Sequence, residues 1–189
     1  ITGTSSLSAD EVADALSSQL GTPLPLVDPS EVKAALIAFP LVETYTLEAR
    51  PPSELVVSIV ERTPIGVVSA ASGFSLVDAA GVTLETTGSP PAGVPVLTVE
   101  GGIDSDAFVA LGRALRSLPD GVRSQVTAAS ASTPHDITFD LGATNTRVVW
   151  GSADKSALKA VVLETTMLAS PPADVSVYDV SSPSAVVVG

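Results

Sequence analysis

Alternating apolar and polar positions on both sides of Pro51-Pro52 predict a β-hairpin over residues 39–65. The run before the prolines alternates loosely, because Glu43 interrupts its apolar row. The run after them alternates strictly, so that three aliphatic residues share one face of the predicted strand: Leu55, Val57 and Ile59. We therefore expect the hairpin to place one face against a hydrophobic core.

Two segments ahead of the hairpin have helical periodicity. Ser8 with Glu11 three residues later forms a capping box, and apolar residues then recur at helical spacing until Gly21. Asp28-Pro29 is typical of a second helix start. The predicted inward residues are Val12, Ala15, Leu16, Leu20, Val32, Ala35, Leu36 and Phe39. With a short strand at 1–6, the order β-α-α-β-β predicts a small sheet covered by two helices.

From residue 63 onward the pattern changes to short strands separated by turn residues. The predicted strands are 65–69, 74–77, 82–85, 96–99, 121–132, 135–141, 147–150, 175–180 and 185–188. The predicted turns are Ser72-Gly73, 79–81 and 142–145. Such closely spaced strands indicate a domain built mainly from β-sheet.

Two predicted helices interrupt these strands, the first capped by Asp104 and the second by Asp154. The expected inward residues are Phe108, Leu111, Ala114, Leu115 and Leu118 in the first, and Leu158, Val161, Val162, Thr165 and Leu168 in the second. The sequence therefore predicts an α+β fold. A β-α-α-β-β module over residues 1–63 precedes a mostly antiparallel β domain with two helices over residues 64–189.

The charge balance argues against nucleic acid as a partner. The chain has 189 residues, 21 of them acidic and nine basic, for a formal net charge of −12. Phosphate backbones bind clustered Lys and Arg, whereas the basic residues here are scattered along the chain. This scatter also argues against adhesion to an anionic membrane surface. The lack of cysteine excludes disulfides, thiol catalysis and Cys-ligated zinc.

No apolar run reaches the roughly 20 residues that span a bilayer, and the chain has no signal peptide. It begins with Ile1-Thr2-Gly3 rather than with Met. We therefore expect it to be the soluble part of a longer protein, with any anchoring segment ahead of Ile1.

The polar residues do not form a recognised catalytic motif. His135 is the only histidine, and the G-x-S-x-G elbow of many Ser-His-Asp hydrolases is absent. A glycan hydrolase needs two facing carboxylates, for which the pairs are Asp10/Asp14, Asp104/Asp106 and Asp136/Asp140. The first turns of helices explain several of these acids. We expect no catalytic, cofactor-binding or metal-binding residue, and we expect Trp150 in the β-domain core, with a partner pocket as the alternative.

Short motifs follow one another in order along nearly the whole chain. The first group is Ile1-Thr2-Gly3, Gly21-Thr22-Pro23-Leu24, Val27-Asp28, Phe39-Pro40-Leu41-Val42, Arg50-Pro51-Pro52 and Val60-Glu61-Arg62-Thr63-Pro64-Ile65. The second group is Leu76-Val77-Asp78-Ala79-Ala80-Gly81-Val82, Val149-Trp150-Gly151-Ser152, the helix at 155–168 and Val177-Tyr178-Asp179-Val180. The first group resembles a POTRA domain and the second resembles the β domain of the FtsQ/DivIB cell-division family. The low lysine content and the abundance of Ala, Val and Thr would suit an actinobacterial member.

The resemblance implies a non-catalytic divisome scaffold that links division proteins during septum formation. Residues 1–63 would form the POTRA-like domain beside the membrane, and residues 64–189 the FtsQ-type β domain beyond it. A cytoplasmic tail and a single transmembrane helix would precede Ile1. This part would then lie outside the cytoplasmic membrane, concentrated at the division septum. The implied partners are FtsB/DivIC-like and FtsL-like proteins, with other divisome proteins binding the POTRA domain.

Two other functions remain open at this point. POTRA domains also guide unfolded strands in transport systems, so a chaperone or translocation module is the first alternative. A cell-wall glycan hydrolase is the second, and the carboxylate pairs are its only support.

The partner site is predicted at the end of the chain, where the last strand would form a sheet edge. A free edge exposes unpaired N–H and C=O groups to which a partner segment can add as a further strand. The candidate residues on and beside this edge are Tyr178, Val180, Ser182, Ser184, Val186, Val187 and Val188. Lys155 and Lys159 of the preceding helix are predicted to attract an acidic ligand.

Overall fold

The computed structural model describes residues 1–71 and 73–189. Unit 1 comprises Ile1–Thr63 and unit 2 comprises Pro64–Gly189. The predicted turn at Ser72-Gly73 lies partly outside the described residues, which do not include Ser72.

Unit 1 contains two helices and a hairpin, and both predicted helix caps are confirmed. Helix α1 (Ala9–Ala15) begins where the Ser8 hydroxyl accepts a hydrogen bond from the backbone N–H of Glu11 at 3.3 Å. Helix α2 (Pro29–Ile37) begins where the Asp28 carboxylate accepts one from Ser30 at 2.7 Å. Short 3₁₀ turns at Ser17–Gln19 and Leu24–Leu26 connect the two helices. Strands β1 (Val42–Arg50) and β2 (Glu54–Glu61) form the antiparallel hairpin.

The helices and the hairpin share one core in unit 1. Its buried residues are Leu7, Val12, Leu16, Val32, Leu36, Val57 and Ile59. A register shift between Val42 and Thr44 forms a β-bulge, and this explains how Glu43 interrupts the apolar row. Leu20 and Ala15, predicted to face inward, are exposed instead. For Leu20 the reason is that α1 ends at Ala15, so helical spacing no longer applies there.

The strand predicted at 1–6 is reduced to a single bridge between Thr2 and Ser58. The Thr2 N–H donates to the Val57 carbonyl, and the Ile59 N–H donates to the Thr2 carbonyl, both at 2.9 Å. Gly3 then adopts a φ of +80°, and a Cβ at this position would lie 2.1 Å from the Ile59 carbonyl oxygen. The chain therefore turns away from β2 after one bridge, because only glycine fits this close approach.

Glu61, at the end of β2, holds the turn that leads into α1. Its carboxylate accepts hydrogen bonds from the N–H groups of Ser5 at 2.6 Å, Ser6 at 3.0 Å and Leu7 at 2.9 Å. The Ser5 hydroxyl adds a bond at 2.8 Å. These donors lower the pKa of Glu61 to about 2, with the backbone N–H of Leu7 contributing most.

In the part of unit 2 that the structure describes, nine strands form one mixed sheet. Its strands are β3 (Pro64–Ala70), β4 (Gly73–Asp78), β5 (Thr83–Thr87), β6 (Val96–Val99), β7 (Val126–Ala131), β8 (Ile137–Leu141), β9 (Thr146–Gly151), β10 (Val177–Asp179) and β11 (Val187–Val188). Their order in the sheet is β11-β10-β9-β8-β7-β6-β3-β4-β5. Five of the eight pairings are antiparallel. The other three are parallel, so the α+β fold class is confirmed in a mixed sheet.

Helices α3 (Asp106–Ser117), α4 (Asp120–Arg123) and α5 (Ser156–Ala169) belong to unit 2. The predicted inward face of α3 is confirmed, since Phe108, Leu111 and Ala114 are fully buried. Its cap is Ser105 rather than the predicted Asp104, because the Ser105 hydroxyl accepts from the Phe108 N–H at 3.2 Å. The strand predicted from residue 121 begins only at 126, since α4 occupies the first residues.

The inward face predicted for α5 is wrong. Leu158, Val161 and Leu168 are 51%, 58% and 82% exposed. The buried residues of this helix are Lys159, Ala160, Leu163 and Met167. The error has a physical cause: α5 is apolar on almost every side, so its sequence has no polar face to indicate which side meets solvent.

Candidate partner-binding surface

Strand β11 forms one edge of the unit 2 sheet, as predicted for the last strand. It pairs antiparallel with β10 in the register Tyr178↔Val188 and Asp179↔Val187. Gly189 and Val177 exchange two backbone hydrogen bonds at 3.0 Å. Because hydrogen-bonded and non-hydrogen-bonded pairs alternate along an antiparallel ladder, the N–H and C=O of Val188 point away from β10. The edge thus presents a backbone donor and a backbone acceptor.

Tyr178 and Val180 support this edge from inside. Both side chains are fully buried in the unit 2 core. The Tyr178 hydroxyl donates a hydrogen bond to the Ser170 carbonyl at the end of α5, and burial raises the pKa of Tyr178. Both side chains therefore pack in the interior of unit 2, and only the backbone of Tyr178 in β10 lies beside the edge strand.

The other residues proposed from the sequence lie at the surface. Val187 is 62% exposed and Val188 is 38% exposed, while Val186 is half-buried against the core. Ser182 and Ser184 are exposed, with their hydroxyl oxygens 3.3 Å apart. Val187 and Val188 are therefore the most accessible apolar side chains of the edge strand.

The two lysines have different environments. Lys159 is only 2% exposed, and its ammonium donates to the carbonyls of Trp150 and Ser152 at 2.8 Å each. Burial lowers the pKa of Lys159. Its predicted role as a surface charge for an acidic ligand is thus corrected to an internal role, which holds the turn between β9 and α5. Lys155 is exposed at the start of α5 and remains accessible.

Sequence reasoning missed the solvent-facing side of α5. Leu158, Val161, Thr165 and Leu168 follow one another at helical spacing, and all four are exposed. These four residues are called the α5 stripe below. The sequence pattern predicted these residues in the core. The feature that could have indicated an exposed apolar surface is the unusual apolarity of the whole helix. Exposed apolar rows of this kind are typical of surfaces that bind another protein.

The side chains considered for catalysis have structural partners or are solvated. Asp136 accepts the N–H groups of Ser132 and Thr133 at 3.0 and 2.8 Å, and Asp140 pairs with Arg147 at 3.0 Å. His135 is exposed, and none of the hydrogen bonds among the described residues joins its imidazole to a serine or an aspartate. Trp150 is fully buried, which confirms its predicted place in the core.

Residues 1–71 and 73–189 lack two further features. No group of three or more His, Asp or Glu side chains in this part of the chain is placed to hold a metal ion. Within the same ranges, no helix combines the length and the apolarity needed to cross a membrane.

Comparison with known proteins places the chain in a family. Residues 1–62 match the model of the FtsQ-type POTRA domain, and residues 66–180 match that of the C-terminal region of cell division protein FtsQ/DivIB. Cell division protein FtsQ of Mycobacterium leprae is 37% identical over 97% of this chain and 52% of its own length. FtsQ of Streptomyces bingchenggensis is 33% identical over 98% of this chain and 72% of its own length. FtsQ of Mycobacterium tuberculosis is 34% identical, over 97% of this chain and 57% of its own length.

This chain therefore spans between about half and about seven-tenths of the length of these relatives. The two family models together cover almost all of it, in the order that the sequence motifs predict. The chain belongs to the FtsQ/DivIB family of bacterial cell-division proteins.

Proposed function

We propose that this protein is a non-catalytic scaffold of the divisome that binds other division proteins through the β11 edge. Its partners are FtsB/DivIC-like and FtsL-like proteins, and other divisome proteins bind its POTRA unit. The protein acts on the outer side of the cytoplasmic membrane at the division septum, anchored by a single transmembrane helix ahead of Ile1. The observation that supports the proposal is that β11, in a family of division proteins, lies at the end of the sheet order among the described strands.

Strand addition explains how such an edge binds a partner. The Val188 N–H and C=O can each pair with the backbone of an added strand, and each such bond contributes about 0.5–1.5 kcal/mol net. Val187 directs its side chain to the opposite face of the sheet from Val188. Both faces of the added strand therefore meet an accessible valine, which makes the partner's alternate side chains contribute to specificity.

The α5 stripe offers a second contact area in the same unit. Exposed leucines on a helix bind an apolar partner surface by burial, at about 25 cal/mol per Å² of apolar area. Lys155 lies at the start of this helix and supplies a positive charge for an acidic partner. A partner that combines an extended strand with an amphipathic segment would contact both areas.

Replacing Val188 tests strand addition directly. Val188→Pro removes the outward N–H without removing an N–H that bonds β10, whereas Val188→Ala keeps that donor and serves as the matched control. We expect the proline variant to bind a DivIC-type segment at least about fivefold more weakly than the alanine variant, since one hydrogen bond is lost. Affinity is measured by calorimetry, and the unfolding midpoint of each variant shows that the fold is retained. Equal affinity of the two folded variants would contradict the edge-strand mechanism.

A further inference from the structure

A cavity of about 250 Å³ opens in unit 1 between the segment that joins α1 to α2 and the tip of the hairpin. Three buried residues of the unit 1 core line it: Leu16, Val32 and Val57. Leu20, which is exposed, and Leu55, which is half-buried, line it nearer the surface. This space, called the α1–α2 cavity below, therefore leads from solvent to the hydrophobic core of the unit.

The path of the chain explains why the α1–α2 cavity is open. Helix α1 ends at Ala15 and a 3₁₀ turn follows at Ser17–Gln19, so Leu20 no longer continues the buried face of the helix. Leu20 lines the cavity and is nevertheless 79% exposed. At Gly21, which also lines it, a Cβ would meet no atom within 4 Å. The leucine that the helical pattern directs inward thus stays largely in solvent, and the space beside it stays open.

The lining of the α1–α2 cavity offers apolar area rather than charge. Gln19 is its largest polar side chain, and both polar ends are already bonded. Its Oε1 accepts the Asp28 N–H at 3.2 Å, and its Nε2 donates to the Glu31 carboxylate. Among the described residues, none of the lining side chains is charged. An inserted group is therefore stabilised mainly by burying apolar surface, and an inserted charge is penalised.

Charged residues border the cavity, and most of them are acidic. Asp14, Asp28, Glu31 and Glu54 are each adjacent in sequence to a lining residue, and all four are exposed. Lys33 is the only basic residue of the described chain in such a position. Residues 1–63 as a whole contain nine acidic and three basic side chains. A basic segment is therefore attracted to the mouth of the cavity, whereas an acidic segment or an anionic lipid surface is repelled.

We propose that the α1–α2 cavity binds one large apolar side chain, such as tryptophan, carried by a basic segment of a partner protein. The volume is below the roughly 300–1,000 Å³ of most small-molecule sites, so it fits a single anchoring side chain better than a cofactor. Aromatic anchors in desolvated pockets supply much of the affinity at protein interfaces. The cavity supplies a site for the POTRA-bound partners of the proposed scaffold, and in that respect it rests on the proposed function.

The test uses the whole chain and a short N-acetylated peptide amide in which one tryptophan stands between two pairs of lysines. NMR should show nuclear Overhauser effects from the indole protons of the peptide to the methyl groups of Leu20, Leu55 and Val57. The ring current of the indole should also shift these methyl resonances. A peptide with alanine in place of tryptophan should bind at least about tenfold more weakly, and one with glutamate in place of lysine should also bind more weakly. Absence of these Overhauser effects, or equal binding of the three peptides, would overturn the proposal.

Two pairs of variants locate the binding in the cavity. Leu20→Ser removes a lining leucine, whereas Leu26→Ser changes a leucine of the same segment that is 71% exposed and does not line the cavity. Ala13→Phe narrows the cavity from α1, whereas Ala15→Phe adds the same ring at an exposed position of α1 outside it. Only the first member of each pair should bind the tryptophan peptide at least about fivefold more weakly, with unfolding midpoints showing that each variant folds. Equal loss within each pair would refute the location.

Two further measurements separate this site from the β11 edge and from lipid. Val188→Pro should bind the tryptophan peptide as the parent does, so failure of strand addition at β11 and failure of the cavity give different results. Loss of peptide binding in Val188→Pro would refute the cavity. The whole chain should not sediment with vesicles made from equal parts of phosphatidylethanolamine and phosphatidylglycerol, because the border of the cavity is acidic. Sedimentation that Leu20→Ser abolishes would identify lipid as the occupant and overturn the proposal.

Discussion

Replacing Glu61 by glutamine tests how unit 1 is held together. Glu61→Gln keeps the size of the side chain but removes its charge and one of the two acceptor oxygens that bind Ser5, Ser6 and Leu7. A pKa of about 2 instead of 4.5 sets an upper limit of about 3.4 kcal/mol on the contribution of the charged form. The hydrogen bonds around Glu61 are open to water, which weakens them, so we expect Glu61→Gln to lower the stability of unit 1 by about 1–2 kcal/mol.

The same contacts predict an acid dependence. The folded state lowers the pKa of Glu61, so the carboxylate stabilises unit 1 fully above about pH 4.5. This contribution is lost as the pH falls from about 4.5 to about 2, because the folded state must then bind a proton on Glu61. Glu61→Gln lacks the titrating group, so the stability difference from the parent should shrink over that interval.

Native-state hydrogen exchange on the whole chain measures both effects. The amides of β2 and α2 report the opening free energy of unit 1, while the amides of β8 in unit 2 serve as an internal reference. Glu43→Gln is the matched control, because Glu43 is an exposed carboxylate of the same unit and its replacement should cost less than about 0.5 kcal/mol. The reasoning is refuted if Glu61→Gln opens unit 1 no more readily than Glu43→Gln does.

Four further variants test the packing and the backbone. Lys159→Met leaves the carbonyls of Trp150 and Ser152 without the ammonium donor, so we expect the free energy of unfolding to fall by about 1–3 kcal/mol. Urea unfolding followed by Trp fluorescence measures this change. An unchanged free energy of unfolding would contradict the internal role of Lys159. Leu168→Ser should change the stability of unit 2 by less than about 0.5 kcal/mol, whereas Leu163→Ala should cost about 2–5 kcal/mol; the reverse order would place the α5 stripe in the core. Gly3→Ala forces a Cβ against the Ile59 carbonyl at a positive φ. Hydrogen exchange of the Thr2 and Ile59 amides should therefore accelerate at least about tenfold. Unchanged exchange would show that the bridge between Thr2 and Ser58 tolerates a side chain at residue 3.

Much of the local structure follows from the sequence, because short-range chemistry determines it. The Ser8 and Asp28 caps, the hairpin around Pro51-Pro52 and the buried face of α3 each depend on residues close together in the chain. Parallel pairings such as β9 with β10 join residues about 30 positions apart, and alternation within each strand gives no information about them.

The sequence predicted where the candidate edge lies in the fold, but it did not predict which side chains are exposed there. The last strand does lie at a sheet edge, where it pairs with β10 and with no other strand among the described residues. Burial of Tyr178 and Lys159 could not be predicted, because both have a long apolar portion and a polar end that a core can satisfy. The α5 stripe was assigned to the core for a related reason, since apolarity alone does not distinguish a core from a binding surface.

The most direct test of the scaffold account is amide exchange at Val188 in the presence of a DivIC-type segment. The account predicts that the Val188 N–H, which the register directs away from β10, becomes strongly protected when the segment binds. The Gly189 N–H, already bonded to Val177, should change little. A segment that binds tightly and leaves exchange at Val188 unchanged would contradict strand addition at β11.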